Sequence, residues 1–331
     1  MVGFPSKLPL FYLKCNLRRR SNAQIAEGAI QKLLVFDGKE NKQGQGYHDD
    51  LRPHAFRSTA AASPFFCGIG LSKLRTSASS QFTANQIARI IHEVTQRENI
   101  QPADIIIIDL RQESHFFVNG RPFTIFTPYL AGYAGQTAEE ISNQELESKK
   151  YLDKATQLTI HTVSHKAPRD RISESEPNNV PVDKLMTEEM LAAQMGVRYV
   201  RFSVQDECRP DDATVDRFLE LIKTLPAHSW MHFHCRGGQG RTTTFFLMKD
   251  ILKNHSILSL QNLMDRHAAM GGKNLSNTNE KDSFVKQEAE KRLRFINHFH
   301  AYATANDGYG HQTWQEWVAK HPLDEPKSQV L

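Results

Sequence analysis

The stretch HCRGGQGRTTTFFLM, His234 to Met248, stands directly behind the apolar run SWMHF and constrains this chain more than any other segment. An apolar run of strand length, a glycine-rich turn and a helix-forming run follow one another without a gap. In such a turn successive backbone N–H groups point inward, and the dipole of the following helix adds partial positive charge, so an oxyanion fits there. Gly237, Gly238 and Gly240 permit backbone angles and close approaches that side chains forbid. The turn is not a nucleotide-binding Walker loop, because GxxxxGK[ST] is absent. Instead Cys235 takes the first position and Arg241 closes the ring. A thiol at that point feels the loop amides and the helix dipole, which favours the thiolate. Arg241 can fork two bonds onto phosphate oxygens. The chemistry implied is attack by Cys235 on phosphorus, a phosphocysteine intermediate and its hydrolysis. Thr242 is placed to support the departing sulfur, and His234 to orient the loop from beneath. Arg236 and Gln239 complete the loop, Arg236 offering a further cation for an anion.

The leaving alkoxide needs a proton donor, and a carboxylic acid serves. SVQDECRPDDATVDRF, just upstream, offers candidates. Asp206 stands at the end of a strand-like run, four residues before Pro210. Asp211 follows Pro210 directly, but it or Asp212 also fits as the N-cap of the next helix. Asp206 is the favoured acid.

The rest of the chain alternates strand-like and helix-like runs, which predicts an α/β fold with a mainly parallel sheet flanked by helices. ADIIIIDL (103–110) is a continuous apolar run, as in a strand buried on both faces. QLTIHTV (157–163) and VRYVRFSV (197–204) read as further strands. Helices are expected over 187–195, 213–224 and 282–304. Two more start at capping boxes, Thr83 with Gln86 and Thr137 with Glu140. NAQIAEGAIQKLLV (22–35) reads as an amphipathic helix, 37–64 as loop, and SHKAPRDRISESEPNN as a charged surface excursion.

A chain of 331 residues, 39% hydrophobic and 24% charged, can build a substantial core. A net charge of +4 makes a nucleic-acid partner a poor expectation, and no run reaches the length of a membrane span. The four cysteines, Cys15, Cys67, Cys208 and Cys235, lie far apart, which argues for free thiols in a reducing compartment and against a disulfide framework. No spacing suggests zinc: His232 and His234 share one strand face, but no third ligand is apparent. The expectation is therefore a soluble protein without cofactor or metal. Residues 1–20 read as a basic tail rather than a signal peptide; an export route, for example into a host cell, would leave no trace.

With these residues in hand, the chain resembles the protein-tyrosine-phosphatase-like phytases, the cysteine phytases. IDLRQESHFFVNG (108–120) looks like the family's D-L-R-x-E-S-H stretch, and FRSTA (56–60) resembles its F-R-[ST] segment. RYVRFSVQDECRPDDATVDRF follows its acid segment, which supports Asp206. RHAAMGG, EKDSF and GYGHQTWQEWVAKHP match in order, so the resemblance covers roughly residues 50 to 322. It implies metal-free release of phosphate from myo-inositol hexakisphosphate and lower inositol polyphosphates. It also implies a tyrosine-phosphatase-like core with a smaller, partly barrel-like insertion. The corresponding layout is a tail and helix over 1–50, a phosphatase domain over 51–322 with the insertion at roughly 112–182, and a tail over 323–331. By the same resemblance Arg57, Asp109, His165, Lys166 and Lys281 line the substrate pocket. Glu207 stands there too, where the family has histidine, and its charge should repel phosphate.

Other readings stay open at this stage. Arg111, Glu113 and His115 fit a structural ion-pair network, Lys281 a solvated helix start, and Cys208 a redox partner for Cys235 or an incidental thiol. The rival activities are those of a tyrosine or dual-specificity protein phosphatase and of a phosphoinositide phosphatase. The protein phosphatase wants a W-P-D acid segment, which the chain lacks, and the phosphoinositide phosphatase an adjoining lipid-binding module.

Overall fold

The computed structural model describes residues 33–37, 52–61, 68–127, 133, 135–163, 175–308 and 310–323. In chain order the strands and helices are β1 (Leu33–Phe36), β2 (Arg57–Ser58), β3 (Thr76–Ser80), α1 (Ala84–Glu98), β4 (Ile105–Arg111), β5 (His115–Val118), β6 (Arg121–Phe126) and α2 (Ala138–Leu152). There follow β7 (Gln157–Val163), β8 (Ser175–Pro181), β9 (Leu185–Met186), α3 (Glu188–Gln194), β10 (Arg198–Val204), α4 (Asp212–Thr224) and β11 (Trp230–Cys235). The chain ends on α5 (Gly240–Asn254), α6 (Leu260–Ala269), α7 (Ser283–Ala305) and α8 (Trp314–Lys320).

Strands β10, β4, β11 and β3 lie side by side and parallel, with β2 antiparallel at the edge. This is the mainly parallel sheet expected from the apolar run at 103–110. Because side chains alternate across a strand, β4 serves two cores at once. Ile106, Ile108 and Leu110 pack with α4, α5 and α7, among Phe202, Phe218, Phe245 and Phe295. Ile105 and Ile107 pack with α1 and α3, beside Ile87, Ile91 and Leu191. On β11 the same alternation puts Phe233 and Cys235 on the first face and Trp230 on the second. His232 and His234 therefore share the second face, with Asp109 and Arg111.

A second sheet runs β8-β7-β1-β6-β5-β9. It takes β1 from before residue 112 and β9 from beyond residue 182, so the expected bounds of the insertion are too narrow for it. The helix expected over 22–35 is corrected at its end: Leu33 to Phe36 form β1, antiparallel to β6 with Phe36 opposite Phe123. A short apolar run suits either structure, and the partner strand decides it. Likewise 37–64 is not all loop, since Asp37 is fully buried and Arg57–Ser58 pair with β3. The polar run 175–181 is no excursion but β8, zipped antiparallel to β7 along its whole length. Both expected capping boxes are present, at Thr83 and Thr137. Residues 22–32 of the expected first helix and both Cys15 and Cys67 lie outside the described residues.

One buried cation makes a test of the fold. Lys249 on α5 is buried and donates to Thr76 Oγ1 at 2.9 Å, with no carboxylate ion-paired to it among the described residues. Burial, with help from Lys253 and Arg75, pulls its amine down to about 7 from 10.5. Between those values the unfolded chain holds the proton and the folded chain does not, so this group makes stability rise with pH across that window. Lys249→Met should remove that slope and raise the melting temperature more at pH 6 than at pH 10. Equal shifts at both pH values in thermal unfolding would contradict the lowered amine.

Candidate active site

The sheet register builds the site. Cys235 ends β11 opposite Ser80 of β3, and His234 stands between Ser79 of β3 and Asp109 of β4. The glycine loop thus leaves from the carboxyl edge of the central strands, where open α/β sheets place ligands. Gly238 has φ +68°, and a Cβ there would fall 2.4 Å from the backbone nitrogen of Ser80, so the loop lies directly on β3. Gln81 N–H donates to Arg236 O, which ties the turn to the same strand. Thr243 N–H donates to Gln239 O as α5 begins.

Arg241 sits 2% exposed at the far end of the loop. Its Nη1 donates to Glu113 Oε2 at 2.8 Å and Val204 O at 3.0 Å, and its Nη2 to Glu113 Oε1 at 3.1 Å. Nη2 also lies 3.0 Å from Asp206 Oδ1. Burial alone would raise the Glu113 carboxyl, but Arg241 and Arg111 outweigh it and hold it well below the usual carboxylate range. Arg111 in turn meets Glu113 at 3.0 Å and Asp37 at 2.8 Å. The ion-pair network expected at 111–115 is present, and it runs into Arg241 itself. Asp37 extends it by accepting from Arg236 Nε at 2.8 Å, while the Arg236 guanidinium lies over the Phe126 ring.

The three candidate aspartates of the acid segment are in different employment. Asp211 caps α4, accepting from Thr214 N at 2.7 Å. Asp212 accepts from Arg209 and from the Trp314 indole. Asp206 is spent on neither, is 38% exposed, and faces Arg241. Thr242 is buried, and its hydroxyl has no partner among the described residues. Cys208 and Cys235 are both free thiols. Burial and the neighbouring Glu288 carboxylate push the Cys208 thiol up to about 12, which makes it a poor partner for thiol exchange.

Beneath the loop His234 Nε2 lies 2.6 Å from Glu188 Oε1, at the start of α3. His115 Nε2 meets Glu188 Oε2 at 3.1 Å. Burial alone would raise the Glu188 carboxyl, yet the two imidazoles hold it well below its ordinary value. Asp109, His115 and Glu188 are spaced as metal ligands could be. Their atoms are already engaged, however: Asp109 accepts from Tyr199 OH at 2.8 Å and from the Arg111 backbone N–H at 2.9 Å, and Arg201 Nε lies 3.2 Å away. His232 is separate, bonded to Ser77 and Ser79 on β3, and burial pulls its imidazole down to about 3.

Two residues expected in the pocket are buried. Asp109 is fully buried and holds strands and arginines together. Arg57, 4% exposed, gives its donors to Ala55 O, Gly238 O and Thr243 Oγ1, which makes it a clamp on the loop. Lys281 is exposed just before the Asp282 cap of α7. His165 and Lys166 lie outside the described residues. The Glu207 carboxylate reaches Lys273 and Arg292 at 4.0 Å each, so its charge is balanced where repulsion of phosphate was expected. Lys273, Arg292, Glu188 and Asp37 were not visible from the sequence as parts of this site, since each arrives from a distant segment. Burial lowers the Arg292 guanidinium, against the pull of Glu207, Cys208, Asp206 and Cys235.

Residues 108–253 match a family model, PTP-like phytase, whose description names inositol hexakisphosphate. The effector protein hopD2 of Pseudomonas syringae pv. tomato is 28% identical over 275 residues, which are 81% of this chain and 57% of that protein. Among solved structures, a PTP-like myo-inositol phosphatase from Mitsuokella multacida, in complex with myo-inositol-(1,3,4,5)-tetrakisphosphate, superposes with a TM-score of 0.78 at 27% identity. That match covers 92% of this chain and 50% of the other. A PTP-like phytase from Bdellovibrio bacteriovorus gives 0.66 at 28% identity, covering 87% and 95%. The chain thus spans little more than half of the Pseudomonas protein and half of the Mitsuokella one.

Proposed function

From the match of residues 108–253 to the PTP-like phytase model and the likeness to solved PTP-like phytases, we propose that the chain is a metal-independent phosphatase of inositol polyphosphates, myo-inositol hexakisphosphate included. The observation that carries this reading is Arg241, fixed by Glu113 on one side and facing Asp206 on the other, at the end of a loop that begins with Cys235. In the proposed reaction the Cys235 thiolate attacks phosphorus as the P–O bond to the inositol carbon's oxygen breaks. Asp206 gives its proton to that alkoxide. Arg241 and the loop amides, His234 to Gly240, hold the three equatorial oxygens. Water, losing a proton to Asp206, then cleaves the phosphocysteine and returns phosphate and thiolate, with Thr242 Oγ1 supporting the sulfur. Arg236, Lys273 and Lys281 supply cations for the remaining phosphates.

The place of action we propose is a reducing cytosol, reached in a host cell. The free thiols and the likeness to a protein named an effector support it. Among the described residues no helix is long and apolar enough to cross a membrane.

Phosphate release from myo-inositol hexakisphosphate, a phosphotyrosine peptide and a phosphoinositide, with EDTA present, tests the reading. We expect fast release from the inositol substrate, reduced to background by Cys235→Ser. A bell-shaped pH–rate profile should accompany it, since the thiol must be ionised and Asp206 protonated. Preference for the peptide or lipid would overturn the substrate assignment. Retained activity in Cys235→Ser would overturn the mechanism.

A further inference from the structure

Arg292 comes from the middle of α7, 85 residues after the acid segment, and is 2% exposed. Two other buried arginines of the site, Arg111 and Arg241, end on carboxylates at close range. Arg292 does otherwise: its Nη2 donates to a main-chain carbonyl, that of Glu207, while the Glu207 carboxylate stands off at 4.0 Å. Its Nε is buried without an acceptor among the described residues. Burying a cation on a backbone carbonyl, with the Glu207 carboxylate 4.0 Å away, is costly, so the position of that carbonyl matters to this fold.

The carbonyl belongs to an unusual residue. Glu207 has φ +64°, the left-handed region where side chains other than glycine are rare, and it directly follows Asp206. Such a conformation persists only where its surroundings impose it. The other side of the guanidinium rests on the phosphate loop. A Cβ at Gly240 would fall 3.2 Å from Arg292 Nη1 and 3.3 Å from Nη2. Arg292 is therefore wedged between the backbone that carries Asp206 and the last glycine of the loop that carries Cys235. Asp206 itself stands outside helix and strand and is partly exposed. A rotation at residue 207 would swing it past the reach of about 2.6–3.2 Å that proton transfer requires.

We propose that Arg292 is a positioning residue for the general acid: it pins the Glu207 carbonyl against the phosphate loop and so sets where Asp206 meets the leaving oxygen. This rests on the phosphatase reading above. The role is separable from phosphate binding by the leaving group. An alkoxide departs only with a proton, whereas p-nitrophenolate departs without one, so loss of the acid slows alkyl esters selectively.

The test is steady-state kinetics of the full chain on myo-inositol hexakisphosphate and on p-nitrophenyl phosphate, for wild type, Arg292→Met, Arg292→Lys, Asp206→Asn and the Asp206→Asn/Arg292→Met pair. Arg292→Met should lose about 10–100-fold in kcat on the inositol ester, and less than about threefold on the aryl ester. Asp206→Asn should show the same selectivity, larger. The double variant should be no slower than Asp206→Asn on the inositol ester, since both changes remove one function. Arg292→Lys keeps the charge and one donor, so it should recover part of the loss; if Arg292→Met does not fold, its ratio of the two losses decides. Equal losses on both esters, a raised KM with kcat unchanged, or additive losses in the pair would overturn the role given to Arg292. Absence of Cys235-dependent hydrolysis of either ester in the wild type would instead remove the phosphatase reading, and this role with it.

Discussion

Glu113→Gln is expected to destabilise the protein by about 3–5 kcal/mol, the usual result of removing one partner from a buried ion pair. Glutamine keeps the shape of Glu113 but leaves Arg111 and Arg241, both fully enclosed, with less charge to balance them. The loss is more than stability. Glu113 takes one hydrogen bond from each terminal nitrogen of Arg241, and that pair of bonds fixes the plane of the guanidinium. With an amide in its place the plane is free to turn, and kcat should fall by about 10²-fold, as misplacement by about 1 Å does elsewhere. The pH dependence has a definite sign. A carboxyl held below its unfolded value of 4.5 contributes stability that is complete above that pH and is lost as the pH falls toward the folded value. Wild type and variant should therefore converge in urea midpoint as the pH is lowered below 4.5. A variant with an unchanged midpoint and kcat within twofold of wild type would show that the pair does not hold the loop.

Gly238→Ala is expected to keep the fold and remove most of the activity. The residue has φ +68°, and its new methyl would meet the Ser80 backbone nitrogen at 2.4 Å and the Ser79 carbonyl carbon at 2.6 Å. Both atoms belong to a paired strand, so the loop must lift. Lifting also breaks the bond from Arg57 Nη1 to Gly238 O. The strain is of order 1–3 kcal/mol, affordable to a large domain. The loop amides, however, lose their common focus, and kcat should fall by about 10²-fold. Gly237→Ala is the control, because a Cβ there meets nothing within 4 Å. Similar losses at both positions would mean that close approach to β3 is not what the glycine serves.

How far the chain can be read unaided depends on the range of the cause. Cys235, the glycines and Arg241 lie within seven residues, and strand, turn and helix are dictated by neighbours in sequence. The capping boxes at Thr83 and Thr137 span four residues each and were equally legible. The N-cap expected at Asp211 or Asp212 is local too, and it is Asp211. Misreadings arose where the deciding partner is remote. Leu33–Phe36 pairs with a strand about 90 residues later, and the polar β8 exists because β7 gives it a ladder. The contacts of Arg57 with the loop and of Asp109 with Tyr199 are equally remote from any local signal. Arg292 carries no local mark at all: in SFVKQEAEKRLRFINHF it is one basic residue among several on a helix.

Asp37 redraws what counts as a unit of this protein. Its carboxylate is shared by Arg111, Thr124 and Arg236, and neighbouring positive charge holds it ionised despite complete burial. A cut at residue 50, where composition turns from polar to patterned, would leave two arginines facing each other across an empty place. A fragment trimmed to such a boundary would test a different molecule. Any transplant of the loop and acid segment into another scaffold must carry this one aspartate along with them.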